Sequence, residues 1–332
     1  MSGDALSAEA FQDRTTGLVL FGSLELLLGG CCGLLAPLSL VNVFVARSLP
    51  PSQMPTANVG PALFGSAFYV GLAAFLITTG IGSIRTRRWA RTLILVGSWI
   101  ALSSGLLGCI TMALMFPMMQ QQILAGAGAG AREAAAITTG VLIVMGAGML
   151  VFYIALPAAF VLFYRSPHVK ATCERKDPRV PWTDRCPAPV LAGSLLAALG
   201  ALSLLSIAVT FRALPFFGTI TGAPAVLIGV ALAAIYAFAA VELYRQRWRG
   251  WWVLMATAGV LAVSGIVSFF SFDPVAFYVA MGYNHEWAER MAPMLGWMRW
   301  SLVLFILPWI GFRLWVKRYL APTPDAVPDA PV

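Results

Sequence analysis

A single carboxylic acid stands inside an apolar run where charge is costly. Glu25 lies eight residues into the stretch Gly17–Leu38 and is its only charged residue. A charge near the centre of a membrane helix costs at least about 2.5 to 3.5 kcal/mol, so this side chain must be protonated, paired or hydrated. At about 1.5 Å per residue it sits about 12 Å along the helix, slightly to the cytoplasmic side of the midplane. Gly22, Gly29 and Cys32 share its face, and Gly29 and Gly33 form a Gly-x-x-x-Gly pair that lets another helix approach closely. The expected partners across that interface are Tyr69, Ser98, Ser103 and Ser104. Its possible chemistry is a proton- or cation-linked site, a hydrogen bond to a polar substrate, or a neutral carboxyl bonded to Ser or Tyr across the interface.

Two further groups of polar residues stand near the ends of apolar runs. His285, Glu286, Glu289 and Arg290 fall one helical turn apart in pairs, which offers an imidazole beside a carboxylate and a separate ion pair. Their reading is a solvated interfacial helix at the outer face, because two potential ligands do not make a metal site. Arg85, Arg87, Arg88 and Arg91, and again Arg245, Arg247 and Arg249, alternate with tryptophans. Guanidinium groups among indoles suit anionic lipid headgroups, and they also orient and anchor a membrane helix. Glu242 is expected to pair with Arg245.

Other chemistry has no support in the chain. It has no phosphate loop, nucleophile elbow or His-Glu-x-x-His motif, and its two histidines, His168 and His285, fall in loops on opposite sides. The five cysteines match no zinc spacing, so no metal or other cofactor is expected.

The elements that must position these residues follow from composition. Of the 332 residues 59% are hydrophobic and 11% charged, far below the roughly 25% charged of soluble domains. Eight apolar segments are expected to cross the membrane as helices: Gly17–Leu38, Ala62–Ile84, Thr92–Met115, Ile137–Phe163, Val190–Val209, Ala223–Val241, Trp251–Phe270 and Trp300–Trp315. Seventeen of the 22 Lys and Arg residues lie at the termini and in alternate loops, and five in the others. That bias predicts a multi-pass membrane protein with both termini in the cytoplasm. The +8 charge is thereby a topology signal, and nucleic acid is not an expected partner. Residues 1–16 carry three acids and one arginine, so the first span is expected to stay as an anchor.

Weak internal correspondences suggest duplication. Gly22-Ser23-Leu24 and Leu28-Gly29 match Gly193-Ser194-Leu195 and Leu199-Gly200; Arg85-x-Arg87 with Ser104-Gly105 matches Arg245-x-Arg247 with Ser264-Gly265 at an offset of 160; Leu156-Pro157 matches Leu307-Pro308. Four spans are an even number, so the two halves would be parallel four-helix repeats. Leu196 is then set against Glu25. The predicted organisation is an all-α polytopic protein with a tail at 1–16, a first four-helix repeat at 17–164, a cytoplasmic linker at 165–189, a second repeat at 190–319 and a Pro/Ala/Asp tail at 320–332. Five prolines and nine charged residues in the linker predict an irregular, clamped connector. Outer loops are expected through Phe116-Pro117 and Ala125–Ala131, and from Phe272 to Trp297.

The segments RTRRWAR, HVKATCERKDP and PWTDRCPAPVL resemble those of bacterial inner-membrane proteins of uncharacterised families. The resemblance covers the linker and the arginine loops and implies no activity, cofactor or substrate. Three functions remain open: a non-enzymatic carrier of a small molecule or lipid lined by Glu25, a scaffold docking a cytoplasmic protein through the linker, and an interfacial enzyme acting on lipid-linked substrates with His285, Glu286 or Glu289.

Overall fold

The computed structural model describes residues 11–48, 59–126, 131–211, 213–271, nine separate positions between 273 and 292, and 310–320. It is an all-α polytopic membrane protein. Seven helices among the described residues are long and apolar enough to cross a bilayer. The eighth expected span, Trp300–Trp315, lies mostly outside the described residues, with helix present over 310–317. The chain divides into two compact units, Met1–Arg185 with Pro274–Ser301, and Cys186–Asp273 with Leu302–Val332.

In the first unit α1 (Thr15–Ser48) and α2 (Val59–Ile84) form a long antiparallel pair. Glycines set their separation: a Cβ on Gly22 would lie 2.8 Å from the carbonyl oxygen of Gly80, and one on Gly29 3.2 Å from that of Ala73. With lipid as apolar as leucine, such close backbone packing is what holds membrane helices together. α3 (Arg88–Gly126) runs on through Pro117, where an outer loop was expected. The Met, Gln and Leu residues after Pro117 favour helix.

The fourth span is α4 (Ala131–Met149), one wide turn (Leu150–Ala155) and α5 (Leu156–Tyr164). Pro157 has no N–H for the carbonyl of Tyr153 and its ring crowds that carbonyl, so the helix widens there and Leu156 donates to Val151 instead. Gly105 on α3 admits the displaced backbone, for a Cβ there would lie 2.3 Å from the Tyr153 oxygen.

The linker is more regular than its prolines suggested. It holds α6 (Pro167–Lys176) and one tight turn at Trp182–Asp184. Pro167 opens α6, where its missing N–H costs nothing, Pro178 and Pro181 follow α6, and Pro187 and Pro189 flank the start of α7. Proline here punctuates helices and does not prevent them.

The second unit holds α7 (Ala188–Phe211), α8 (Ala223–Tyr244), α9 (Trp248–Ser271) and the 310–317 helix. α7 and α8 pair through Gly229 against Ala208, Gly200 against the Tyr236 ring, and the Ser194 hydroxyl donating to the Ala240 carbonyl at 2.7 Å. Between them a hairpin unforeseen in the sequence pairs β1 (Ala213–Pro215) with β2 (Thr219–Thr221). Its tip is fastened to α9: Phe217 N–H donates to Ser264 Oγ at 2.9 Å and Gly218 N–H to Ser268 Oγ at 3.1 Å.

Two turns share one hydrogen-bond pattern. Thr86 and Gln246 have φ of 54° and 57°. Thr86 N–H donates to Ser83 and Arg87 N–H to Gly82; Gln246 donates to Leu243 and Arg247 to Glu242. This is the left-handed cap that satisfies the last carbonyls of a helix, and it occurs at the offset of 160 read from the sequence.

Candidate functional site

Glu25 is fully buried at the junction of α1, α2 and α5. Tyr164, the last residue of α5, donates its hydroxyl to Glu25 Oε1 at 2.6 Å, and Ser83 Oγ lies 3.4 Å from the same oxygen. Ser83 and the phenol oxygen are 3.0 Å apart. Tyrosine has one hydroxyl hydrogen. With that hydrogen on Glu25, the Ser83 hydroxyl donates to the phenol or to the carboxyl. Thr79, one turn before Ser83, faces the same carboxyl with its hydroxyl turned to the carbonyl of Phe75 at 2.9 Å. Glu25 Oε2 is buried and has no hydrogen-bond partner among the described residues. No lysine, arginine or histidine forms an ion pair with Glu25 among the described residues.

The local sequence explains the arrangement. Gly22 and Gly29 bracket Glu25 and pull α2 close, and the antiparallel register that sets Gly22 on Gly80 brings Glu25 to Ser83. Ser83 is one residue from the end of α2, and Tyr164 ends α5. The carboxyl therefore lies close to the ends of α2 and α5, beside the first arginine turn. A polar group is less costly there than at the centre.

The expected partners lie elsewhere. Ser98 is buried on α3 with no hydrogen-bond partner for its hydroxyl among the described residues, Ser103 donates to the Trp99 carbonyl at 2.9 Å, Ser104 is exposed, and Tyr69 stacks edge-on with Phe68. None of the four reaches Glu25, because helix register brought Ser83 and Tyr164 there. Tyr164 sits 139 residues from Glu25 at the border of span and linker, and no local spacing pointed to it.

Two arginines of the first turn are paired with the linker. Arg88 pairs with Asp184 at 3.0 Å and Glu174 at 3.7 Å, and Arg87 with Asp177 at 3.5 Å. Arg91 donates from Nε to the Tyr164 carbonyl at 3.2 Å, while Arg85 is exposed. In the second turn Arg247, and not Arg245, pairs with Glu242, at 3.1 Å, because the left-handed residue Gln246 turns the chain back toward α8. Arg245 and Arg249 are exposed. His285 Nδ1 meets Glu289 Oε1 at 3.4 Å with both side chains more than half exposed; Glu286 is also exposed, and Arg290 lies outside the described residues. No group of three His, Cys, Asp or Glu residues among the described residues could hold a metal ion.

Cys173 and Cys186 are both buried, and burial raises both thiols, that of Cys173 to about 11, so neither is a reactive thiolate at neutral pH. Asp13 is lowered by hydrogen bonds from the hydroxyl and N–H of Thr15 at the start of α1. Comparison with known proteins gives no similarity: no family model, no curated protein and no solved structure matches the chain.

Proposed function

We propose that this chain is a non-enzymatic carrier of a small molecule or lipid in the bacterial inner membrane, with both termini cytoplasmic and Glu25 as its polar lining group. One observation carries this reading: a fully buried carboxyl with one oxygen held by Tyr164 and the other without a partner among the described residues. The fold has no need of that acid. In the second unit Leu196, set against Glu25, and Leu243, which matches Ser83 at the offset of 160, line one pocket with Phe312 and Arg313. Leucines thus fill the positions that hold the polar group in the first unit, which favours a duplicated bundle with a site retained in one copy. The exposed Arg245 and Arg249 beside Trp248 and Trp252 suit anionic lipid headgroups as the surrounding partner.

The test is the native mass of the gently solubilised protein. A retained small molecule or lipid of one defined mass, lost in Glu25→Gln, is the expected result. A second polypeptide at fixed stoichiometry and no ligand would sink the carrier and favour a membrane subunit. That second reading has its own observation: Val180 and Trp182 are large apolar side chains exposed on the linker, as on a docking surface for a cytoplasmic protein. Shuffling residues 178–183 would then abolish partner capture.

A further inference from the structure

The linker helix α6 closes the end of the first unit above Glu25. Val169 and Cys173 from α6 are buried against Leu18 and Tyr164. Leu18 is seven residues before Glu25 on the same face of α1, and the Tyr164 side chain reaches from this cap to the carboxyl. Little apolar area holds α6 down: Val169, Thr172 and Cys173 are its buried residues.

Its margins are held by charge. On one side Arg88 takes Glu174 of α6; past the end of the helix the Arg88 N–H donates to Asp177 Oδ2 at 3.4 Å, and Arg88 pairs with Asp184 of the following turn, to which Thr92 Oγ1 also donates at 3.0 Å. On the other, Lys176 pairs with Asp13 at 3.6 Å and donates to the Thr15 hydroxyl, while the Arg14 N–H donates to Thr172 Oγ1 at 3.1 Å. Partly exposed ion pairs are individually weak and screened by salt. Segments held by few apolar contacts open before the core does. Tyr164 joins this cap to the site, because its hydroxyl is bound to Glu25, its carbonyl takes Arg91, and α6 begins three residues later.

We propose that α6 is a charge-latched lid whose opening exposes the Glu25 carboxyl to the side of the membrane that carries the first arginine turn. What the lid admits rests on the reading of Glu25 as the lining group of a carrier. Lifting α6 withdraws Val169 and Cys173 from Tyr164 and frees the phenol to leave the carboxyl. Closing it restores a dry, hydrogen-bonded cluster. The latch on Arg88 sets how often that happens.

Cys173 reports the motion, since it lies on the buried face of α6 and lifting the helix bares it. In the full chain with Cys31, Cys32, Cys109 and Cys186 changed to alanine, the alkylation rate by N-ethylmaleimide is measured in detergent at constant pH. Arg88→Gln, which removes two ion pairs, is expected to raise the rate about tenfold, equivalent to about 1.4 kcal/mol. Raising salt to about 1 M, where screening acts within about 3 Å, should raise the rate with Arg88 present and add little in Arg88→Gln. The salt arm needs no change at the latch, so a poorly folding Arg88 variant does not decide the matter. Rates unmoved by both salt and Arg88→Gln would overturn the lid. A Cys173 rate that responds while Glu25→Gln leaves the native mass unchanged keeps the lid and removes the carrier; the reverse pattern removes the lid alone.

Discussion

The hydroxyl of Tyr164 should account for a measurable part of the stability of the first unit, and a double-mutant cycle with Glu25 isolates it. Tyr164→Phe removes the donor at 2.6 Å from Glu25 Oε1 and leaves Ser83 at 3.4 Å as the nearest replacement, with Oε2 still unpartnered among the described residues. Interhelical hydrogen bonds in membrane proteins average about 0.6 kcal/mol and reach about 1.7, because the unfolded chain in lipid also finds partners. This bond is short and its acceptor is a carboxyl, which places it in the upper half of that range, at about 1.5 kcal/mol. Glu25→Leu installs the residue found at Leu196, so alone it should cost little or stabilise, as replacing a buried polar group by a packed apolar one often does. In the Glu25→Leu background Tyr164→Phe should cost much less than in the native chain, because only the Ser83 contact at 3.0 Å is then lost. The assay is reversible unfolding in mixed detergent micelles for the four proteins of the cycle. A coupling energy below about 0.5 kcal/mol would refute the reasoning, since it would mean that the bond is no better than an average interhelical one.

Three other outcomes can be checked. Gly22→Val should destabilise by about 1 to 3 kcal/mol in the same assay, since its Cβ would lie 2.8 Å from both the Gly80 carbonyl oxygen and Ile84 Cγ1, and backbone cannot yield as a side-chain tip can. Ser264→Ala with Ser268→Ala removes two bonds of about 1 kcal/mol each from the hairpin tip, so amide exchange at Phe217 and Gly218 should accelerate about thirtyfold; unchanged exchange would mean that the tip is held by other contacts. Because burial raises the Cys173 thiol from 9.0 to about 11, the folded state holds its proton where the unfolded chain loses it. Stability is therefore full below about pH 9 and falls as pH rises toward 11, and Cys173→Ala should flatten that decline; an identical decline in the variant would assign it to other groups.

Much of the architecture was legible in the residues themselves. Apolar runs of membrane length must be helices, since lipid offers the backbone no hydrogen bonds, and seven are found where the runs lie. The face shared by Gly22, Glu25 and Gly29 follows from helical period, and it is the face that meets α2. Tertiary structure alone chose the partners of Glu25. Hydropathy does not say which apolar helix packs on that face or in what register, so selecting Ser83 of α2 over Ser98 or Ser103 of α3 was left to the packing of Gly22 on Gly80. The linker shows the same division. Its prolines and charges marked a connector, but only folding brought Glu174, Asp177 and Asp184 onto arginines about ninety residues earlier in the chain and turned two candidate headgroup contacts into a latch. Period and solvent act along the chain and can be read from it, whereas register and long-range charge pairing depend on shapes that exist only once helices pack.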